Sequence, residues 1–383
     1  MRIRILLLAL TFVFCKSFSQ NNQRFKLEDD HEFDNGSGIT FSKLNRNQIH
    51  NLALLGKIWG FLKYHHPYIA AGNINWDYQL FRIIPNYINI KTKQERNEEL
   101  LKLVNFLGIV NKGTVQENVK VEGIKMQPEL DWLRDTAELG DSLSRQLINI
   151  QNCVRPKGNY YISFVEGVGN PILSNEKPYS SMRFPDAGFR LLALFRYWNI
   201  INYFFPYKYL IEEKWENVLS EFIPLFIGDT NQTEYNFTIL KMISRIHDSH
   251  ANIVRNWQLE NYQGTLAPPF SAIFVGNKLV VTGYYSDTLE IKNKIKPGDI
   301  ILKINHQNVD GLIKKFSPLI SASNKETELR DLARSFLLKT KDDELILELL
   351  KDGVKSTIAV PALLPTSFKY RYNSRSGRKC NPL

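Results

Sequence analysis

Cysteine is scarce: Cys15, Cys153 and Cys380 are the only three in 383 residues. Thiols so few and so far apart make no disulfide framework, so the fold must rest on buried apolar surface, with a single Cys153–Cys380 bridge left open. No interior run reaches the 18 or so apolar residues of a membrane-spanning helix, and none of the chain is of low complexity. A hydrophobic fraction of 43% with 12% aromatics belongs to a folded protein rather than a disordered one. A basic stripe interleaved with stacking aromatics is also missing, which speaks against nucleic acid as a partner despite the formal charge of +10. Arg2, Arg4 and Lys16 lie in a segment expected to be removed, and five further cations crowd the last 21 residues, which hold no acid; the body between is close to neutral.

The N-terminus reads as an address. A short basic start, an apolar run from Ile5 to Phe14, and Ser17-Phe18-Ser19 at the spacing signal peptidase requires predict a signal peptide over residues 1–19. Lipidation of Cys15 is not expected, because Phe14 precedes it where a small side chain is needed. The mature protein is therefore expected outside the cytoplasm, periplasmic or secreted. Its length is enough for two or three domains.

After a polar leader (20–46) the chain repeats itself. Leu52, Leu55, Trp59 and Leu62 keep the spacing of one buried helix face, and so do Leu191, Leu194, Trp198 and Ile201. At one constant offset of 139 residues Trp59 meets Trp198, Tyr64 meets Tyr203, Pro67-Tyr68 meets Pro206-Tyr207, Trp76 meets Trp215, and Ile84-Pro85 meets Ile223-Pro224. The pattern predicts a helical unit used twice, over 47–107 and 186–256: a helix stopped at Tyr-x-x-Pro-Tyr, a second from Trp to Ile-Pro, and a third before a loop. The aromatic stripe is read as core packing rather than a ligand pocket. A connector, 108–185, is expected to hold a helix from Pro128 to Gln151 and a strand from Asn159 to Glu166 with Tyr160, Ile162 and Phe164 on one face.

The units differ at one exit. The first leaves its third helix through Phe106-Leu107-Gly108-Ile109; the second leaves through His247-Asp248-Ser249-His250. A Ser-His pair can hold a general base beside a reacting group at working pH. The same residues also serve as plain caps of a helix end, and that reading stays beside the chemical one. A metal site from His247, Asp248 and His250 lacks a third or fourth ligand at a recognised spacing, so no metal or other cofactor is expected. His65 and His66 stand where the second unit has Phe204 and Phe205, so imidazole is not required there.

From Pro268 the period becomes that of strands. Phe270–Val275 and Lys278–Tyr284 flank Gly276-Asn277, Lys296-Pro297-Gly298-Asp299 feeds Ile300–Ile304, a helix is expected over Glu326–Leu338, and Glu344–Leu350 with Val354–Val360 form a closing hairpin. This segment, 266–362, resembles a PDZ domain, most specifically in Pro-Gly-Asp-Ile-Ile-Leu-x-Ile-Asn. Such domains take an extended peptide on a sheet edge and hold its terminal carboxylate, so peptide or protein C-termini are the partners implied. A basic tail (363–383) follows. The fold class expected is multidomain α+β.

The order of signal peptide, helical units ending in Arg-Ile-His-Asp-Ser-His-Ala, and PDZ-like module resembles the tail-specific (C-terminal processing) serine peptidases, most closely their tricorn-core branch; Phe189–Ile201 is similar to secreted bacterial members. The resemblance implies that His250 is a base toward a serine nucleophile and that Ser249 orients it. In that family the nucleophile, oxyanion donors and a supporting Glu lie in a crotonase-like α/β domain after the PDZ module. Here Ser335 falls in a helix and Ser367, Ser374 and Ser376 in the basic tail, so the chain is expected to be the N-terminal part of such a peptidase and to hydrolyse peptides poorly by itself. A non-catalytic extracytoplasmic peptide-binding protein is the alternative.

Overall fold

The structure is a computed structural model that describes residues 26–111, 128–173, 175–285 and 291–368. The expected signal peptide, Cys15, Cys380, Ser374 and Ser376 lie outside the described residues. What is described is mixed: 49% helical with eleven α-helices, plus a six-stranded antiparallel sheet.

The first helical segment comprises α1 (Arg46–His65), α2 (Pro67–Ala70), α3 (Trp76–Tyr87) and α4 (Lys93–Phe106). The connector holds α5 (Thr136–Gln151) and a two-residue antiparallel pair, β1 (Ser163–Phe164) and β2 (Pro171–Ile172). The second helical segment comprises α6 (Ala187–Phe204), α7 (Trp215–Gly228) and α8 (Gln232–Ser244), and α9 (Trp257–Gln263) leads out of it. The β-rich module runs β3 (Phe270–Val275), β4 (Lys278–Tyr284), β5 (Ile300–Ile304), β6 (Gln307–Asn308), α10 (Val309–Phe316), α11 (Lys325–Leu332), β7 (Glu344–Lys351) and β8 (Val354–Pro361). No helix among the described residues is long and apolar enough to cross a membrane.

Local chemistry fixes the helix ends. Asn45 with Gln48 and Thr92 with Glu95 form capping boxes on α1 and α4, and Asp186 and Asn231 accept from the first free backbone donors of α6 and α8. Before Pro67 and Pro206, His66 and Phe205 turn extended (ψ 122° and 111°), as a pre-proline residue must, and α1 and α6 stop. Pro85 and Pro224 do not end α3 and α7 as the sequence suggested. Each helix runs two to four residues past its proline.

The connector departs further from expectation. Its helix starts as a 3-10 turn at Asp131–Arg134, and α5 is broken at Gly140, whose φ of 69° is non-helical. The strand shrinks to Ser163–Phe164, because Tyr161 and Ile162 go into the helical core while Phe164 stays exposed. Near the other end of the chain, the helix expected to reach Leu338 gives way after Leu332 to a π-helical turn, Ala333–Leu337.

Within each helical segment the indole N–H groups and carbonyls of two tryptophans are exchanged: Trp59 donates to the Trp76 carbonyl and Trp76 to that of Trp59, both at 2.9 Å. Trp198 and Trp215 repeat the exchange at 2.8 and 3.0 Å. The segments then meet through equivalent positions. A Cβ on Gly56 would come within 2.7 Å of the Phe195 ring, and one on Gly60 would overlap the Asn199 amide. Tyr64 meets Tyr203 ring to ring at 5.7 Å. Lys57 pairs with Glu216 while Arg196 pairs with Asp77, each contact being the other under the 139-residue offset. Reciprocal contacts of this kind are the mark of a two-fold arrangement.

One pair has been buried and elaborated. Lys63, with no exposed side-chain surface, lies 2.9 Å from Glu176 and 3.3 Å from Asp77, and Arg196 contacts both acids. Burial opposes the charge of Asp77, but Arg196 and Lys63 outweigh it and hold its pKa below the usual range. The leader is packed as well: Ser37 donates from its backbone and hydroxyl to Asp186, both at 2.6 Å, and Arg82 grips Asp30.

The β-rich module has its own core, centred on Leu279, Ile295, Leu332, Leu347, Leu349 and Val360, and recruits Leu240 of α8 and Leu259 of α9 to it. Sheet order is β3-β4-β5-β7-β8 with β6 on β5, every pairing antiparallel. The turn before β5 is of type II, with Pro297 then Gly298 at φ 97° and the Asp299 amide donating to the Lys296 carbonyl at 3.0 Å. β3 has β4 as its one strand partner among the described residues and packs against α11.

Candidate functional site

α8 ends at Ser244, and the chain must then turn from the helical core to the sheet. Ile246 is buried and anchors the turn, and His247 follows at φ 52°. The position 139 residues earlier is Gly108, at φ 88°. A left-handed residue ends both third helices, but the first segment uses glycine, which carries no Cβ penalty, and the second uses an exposed histidine that does. Strain kept at a surface loop is an observation that points toward function.

The loop is clamped from both sides. Arg245 makes a two-pronged bond to Glu213 at 2.7 and 2.8 Å and also reaches Glu221, tying the loop to the second helical segment. From the β-rich module, Ser321 Oγ donates to the Asp248 carbonyl at 2.8 Å and to that of Ile243 at 3.3 Å, while Ser244 Oγ donates to the Pro318 carbonyl at 2.9 Å. His250 therefore stands at the seam between the helical region and the sheet.

Its imidazole is almost wholly in solvent, with 96% of the side chain exposed, and Nδ1 lies 3.0 Å from Asp248 Oδ1. The same oxygen accepts from the His250 backbone N–H at 2.9 Å. Ser249, to which the family resemblance assigned the orienting role, makes no hydrogen bond to His250; the neighbour that does is Asp248, because the turn brings residues two apart together. The charge of Asp248 also reaches Tyr197, whose buried hydroxyl finds no hydrogen-bond partner; burial first, and Asp248 second, push that phenol's pKa up.

His250 opens on a cavity of about 690 Å³. One wall is apolar: Phe205, Tyr207 and Leu210 of the turn after α6, the last two 55% and 62% exposed. The other is polar, formed by Ser323, Asn324, Lys325 and Glu328 at the start of α11. Ser249 also lines a second cavity, of about 500 Å³, with Arg334 and Ser335 of the π-helical turn. Among the described residues no serine hydroxyl is hydrogen-bonded to His250, and Ser367 is turned onto the Leu364 carbonyl. No group of three or more His, Cys, Asp or Glu among the described residues is placed to hold a metal.

The other histidine pair is structural. Burial pushes the His65 and His66 pKa values down to about 4. His65 Nδ1 donates to the Phe61 carbonyl at 2.9 Å and its ring stacks on Phe61, while His66 caps α2. Sequence reasoning missed the apolar wall. Part of the signal was there in the repeat: Leu210 stands where the first segment has Ala71, and a large apolar side chain that replaces alanine and remains exposed is a candidate for contact with something.

Compared with known proteins, the chain matches no family model and no curated protein. Among solved structures it has a weak likeness to mature CPAF, with a TM-score of 0.33 at 13% identity, over 46% of this chain and 34% of that one.

Proposed function

We propose that this chain is the N-terminal part of an extracytoplasmic serine-type endopeptidase of the tail-specific, tricorn-core type. In this reading the two helical segments are a duplicated unit, 266–362 is a PDZ-like module that binds peptide C-termini, and His250 is the general base toward a nucleophile brought by another part of the protein. The observation that carries it is the His250 imidazole at the seam, in reach of solvent, held by a carboxylate on Nδ1 and lining a cavity large enough for a peptide segment. A peptide seated on the free edge of β3 beside α11 would lie on the same module that lines this cavity. The test is kinetic: in the full gene product His250→Ala lowers kcat by orders of magnitude and leaves peptide affinity unchanged, since a base acts on the chemical step. Unchanged turnover in that variant overturns the reading.

A second reading, a non-catalytic peptide-binding protein, draws on β3 itself, where Ile273 and Val275 alternate outward beside an edge that has no strand partner among the described residues. Titration calorimetry with a free-carboxylate peptide and its amide distinguishes a PDZ-type site, which loses affinity on amidation, from a sheet that merely packs.

A further inference from the structure

We infer that Asp248, not Ser249, is the positioning residue of His250, and that it holds the neutral imidazole as the Nδ1–H tautomer with the Nε2 lone pair free for a proton. The inference rests on the reading of His250 as a base. Oδ1 of Asp248 accepts at once from the His250 backbone N–H (2.9 Å) and faces Nδ1 of its ring at 3.0 Å. An ionised carboxylate has no proton to give, so Nδ1 must be the donor and Nε2 the acceptor. A proton arriving at Nε2 leaves an imidazolium beside a carboxylate, the arrangement that favours a base in its loaded form. The carboxylate is itself held. The Asp248 carbonyl accepts from Ser321 Oγ and from the Ala251 N–H at 2.9 Å, so the backbone that aims the side chain is tied to the β-rich module as well as to its own turn. Ser249 points to the two cavities it lines and is left free to touch a ligand.

The test is 15N NMR of the imidazole nitrogens in the purified chain under alkaline conditions that keep imidazole neutral, which requires no catalysis. The expected result is a pyrrole-type Nδ1 and a pyridine-type Nε2 in the wild type, reversal toward the Nε2–H form in Asp248→Ala, retention in Asp248→Asn, whose amide oxygen still accepts, and no change in Ser249→Ala. Backbone amide shifts outside 245–252 report that each variant is folded. A wild type already in the Nε2–H form overturns the inference without any variant, as does a reversal produced by Ser249→Ala and not by Asp248→Ala. A turn-forming role alone for Asp248 would leave the ring tautomer unmoved. The tautomer is read independently of hydrolysis, so this result and the kinetic result above can fail separately.

Discussion

Gly60 and Asn199 occupy equivalent places in the two helical segments and meet face to face, which makes Gly60→Ala a sharp probe of how those segments pack. The new Cβ would overlap the Asn199 amide. Asn199 has no exposed surface in which to retreat, and its Nδ2 donates to the Gly56 carbonyl at 3.0 Å and the Phe195 carbonyl at 2.8 Å. Overpacking costs about 1–3 kcal/mol. Loss of the two amide bonds adds about 1 kcal/mol each, and better helix propensity returns about 1 kcal/mol. The net expected for Gly60→Ala is a loss of about 2–4 kcal/mol by these terms. Asn199→Ala alone should cost only about 1–2 kcal/mol, because the two carbonyls keep their helical donors. In the double variant two alanines fit at a net cost of about 0–1 kcal/mol, so the cycle should show a favourable coupling of about 3–5 kcal/mol. Guanidinium unfolding followed at 222 nm, with tryptophan fluorescence as a second probe of cooperativity, reads all four species. Effects that add to within about 0.5 kcal/mol, the usual spread for independent sites, would refute the close approach of α1 and α6.

Other outcomes follow from single groups. Lys63→Met leaves Asp77 and Glu176 with Arg196 as their one remaining cation partner among the described residues, beside the Tyr179 hydroxyl on Asp77, and should lower stability by about 3–5 kcal/mol in urea unfolding; a loss under 1 kcal/mol would mean the acids find water. His65 is neutral in the folded chain down to about 4, whereas the unfolded chain takes the proton below about 6.5, so stability is lost as pH falls through that window, by about 3 kcal/mol for a group so deeply buried. His65→Phe, the residue of the second segment, should flatten that part of the stability–pH curve, and an unchanged slope between pH 6.5 and 4 would remove His65 as its source. His247→Gly should raise thermal stability by about 1 kcal/mol by relieving the left-handed backbone, while His247→Ala should not.

Much of the architecture was legible in sequence because it follows from short-range rules. The offset of 139 placed the tryptophans, and α3 and α7, like α1 and α6, recur at that spacing because the tryptophans, the apolar face and the helix-stopping prolines recur with them, although their N-caps do not. β3, β4, β7 and β8 lie within a residue of where alternation and turn residues put them. Where sequence reading failed, a neighbour distant in the chain had the last word. Tyr161 and Ile162 left a promising strand because the helical core took them, and Ala333–Leu337 widened into a π-turn at the face of a cavity shared with α9. Gly56 and Gly60 take their meaning only from the fold, where Phe195 and Asn199 fill the space above them. The motif at 247–250 stood out by residue type alone, and its reading as a base with neighbours remains a proposal. Which neighbour touches the His250 ring was decided by the turn geometry that Ile246, Arg245 and Ser321 impose: a loop pinned on both sides brings Asp248, two residues away, to the ring, and Ser249 makes no bond to it.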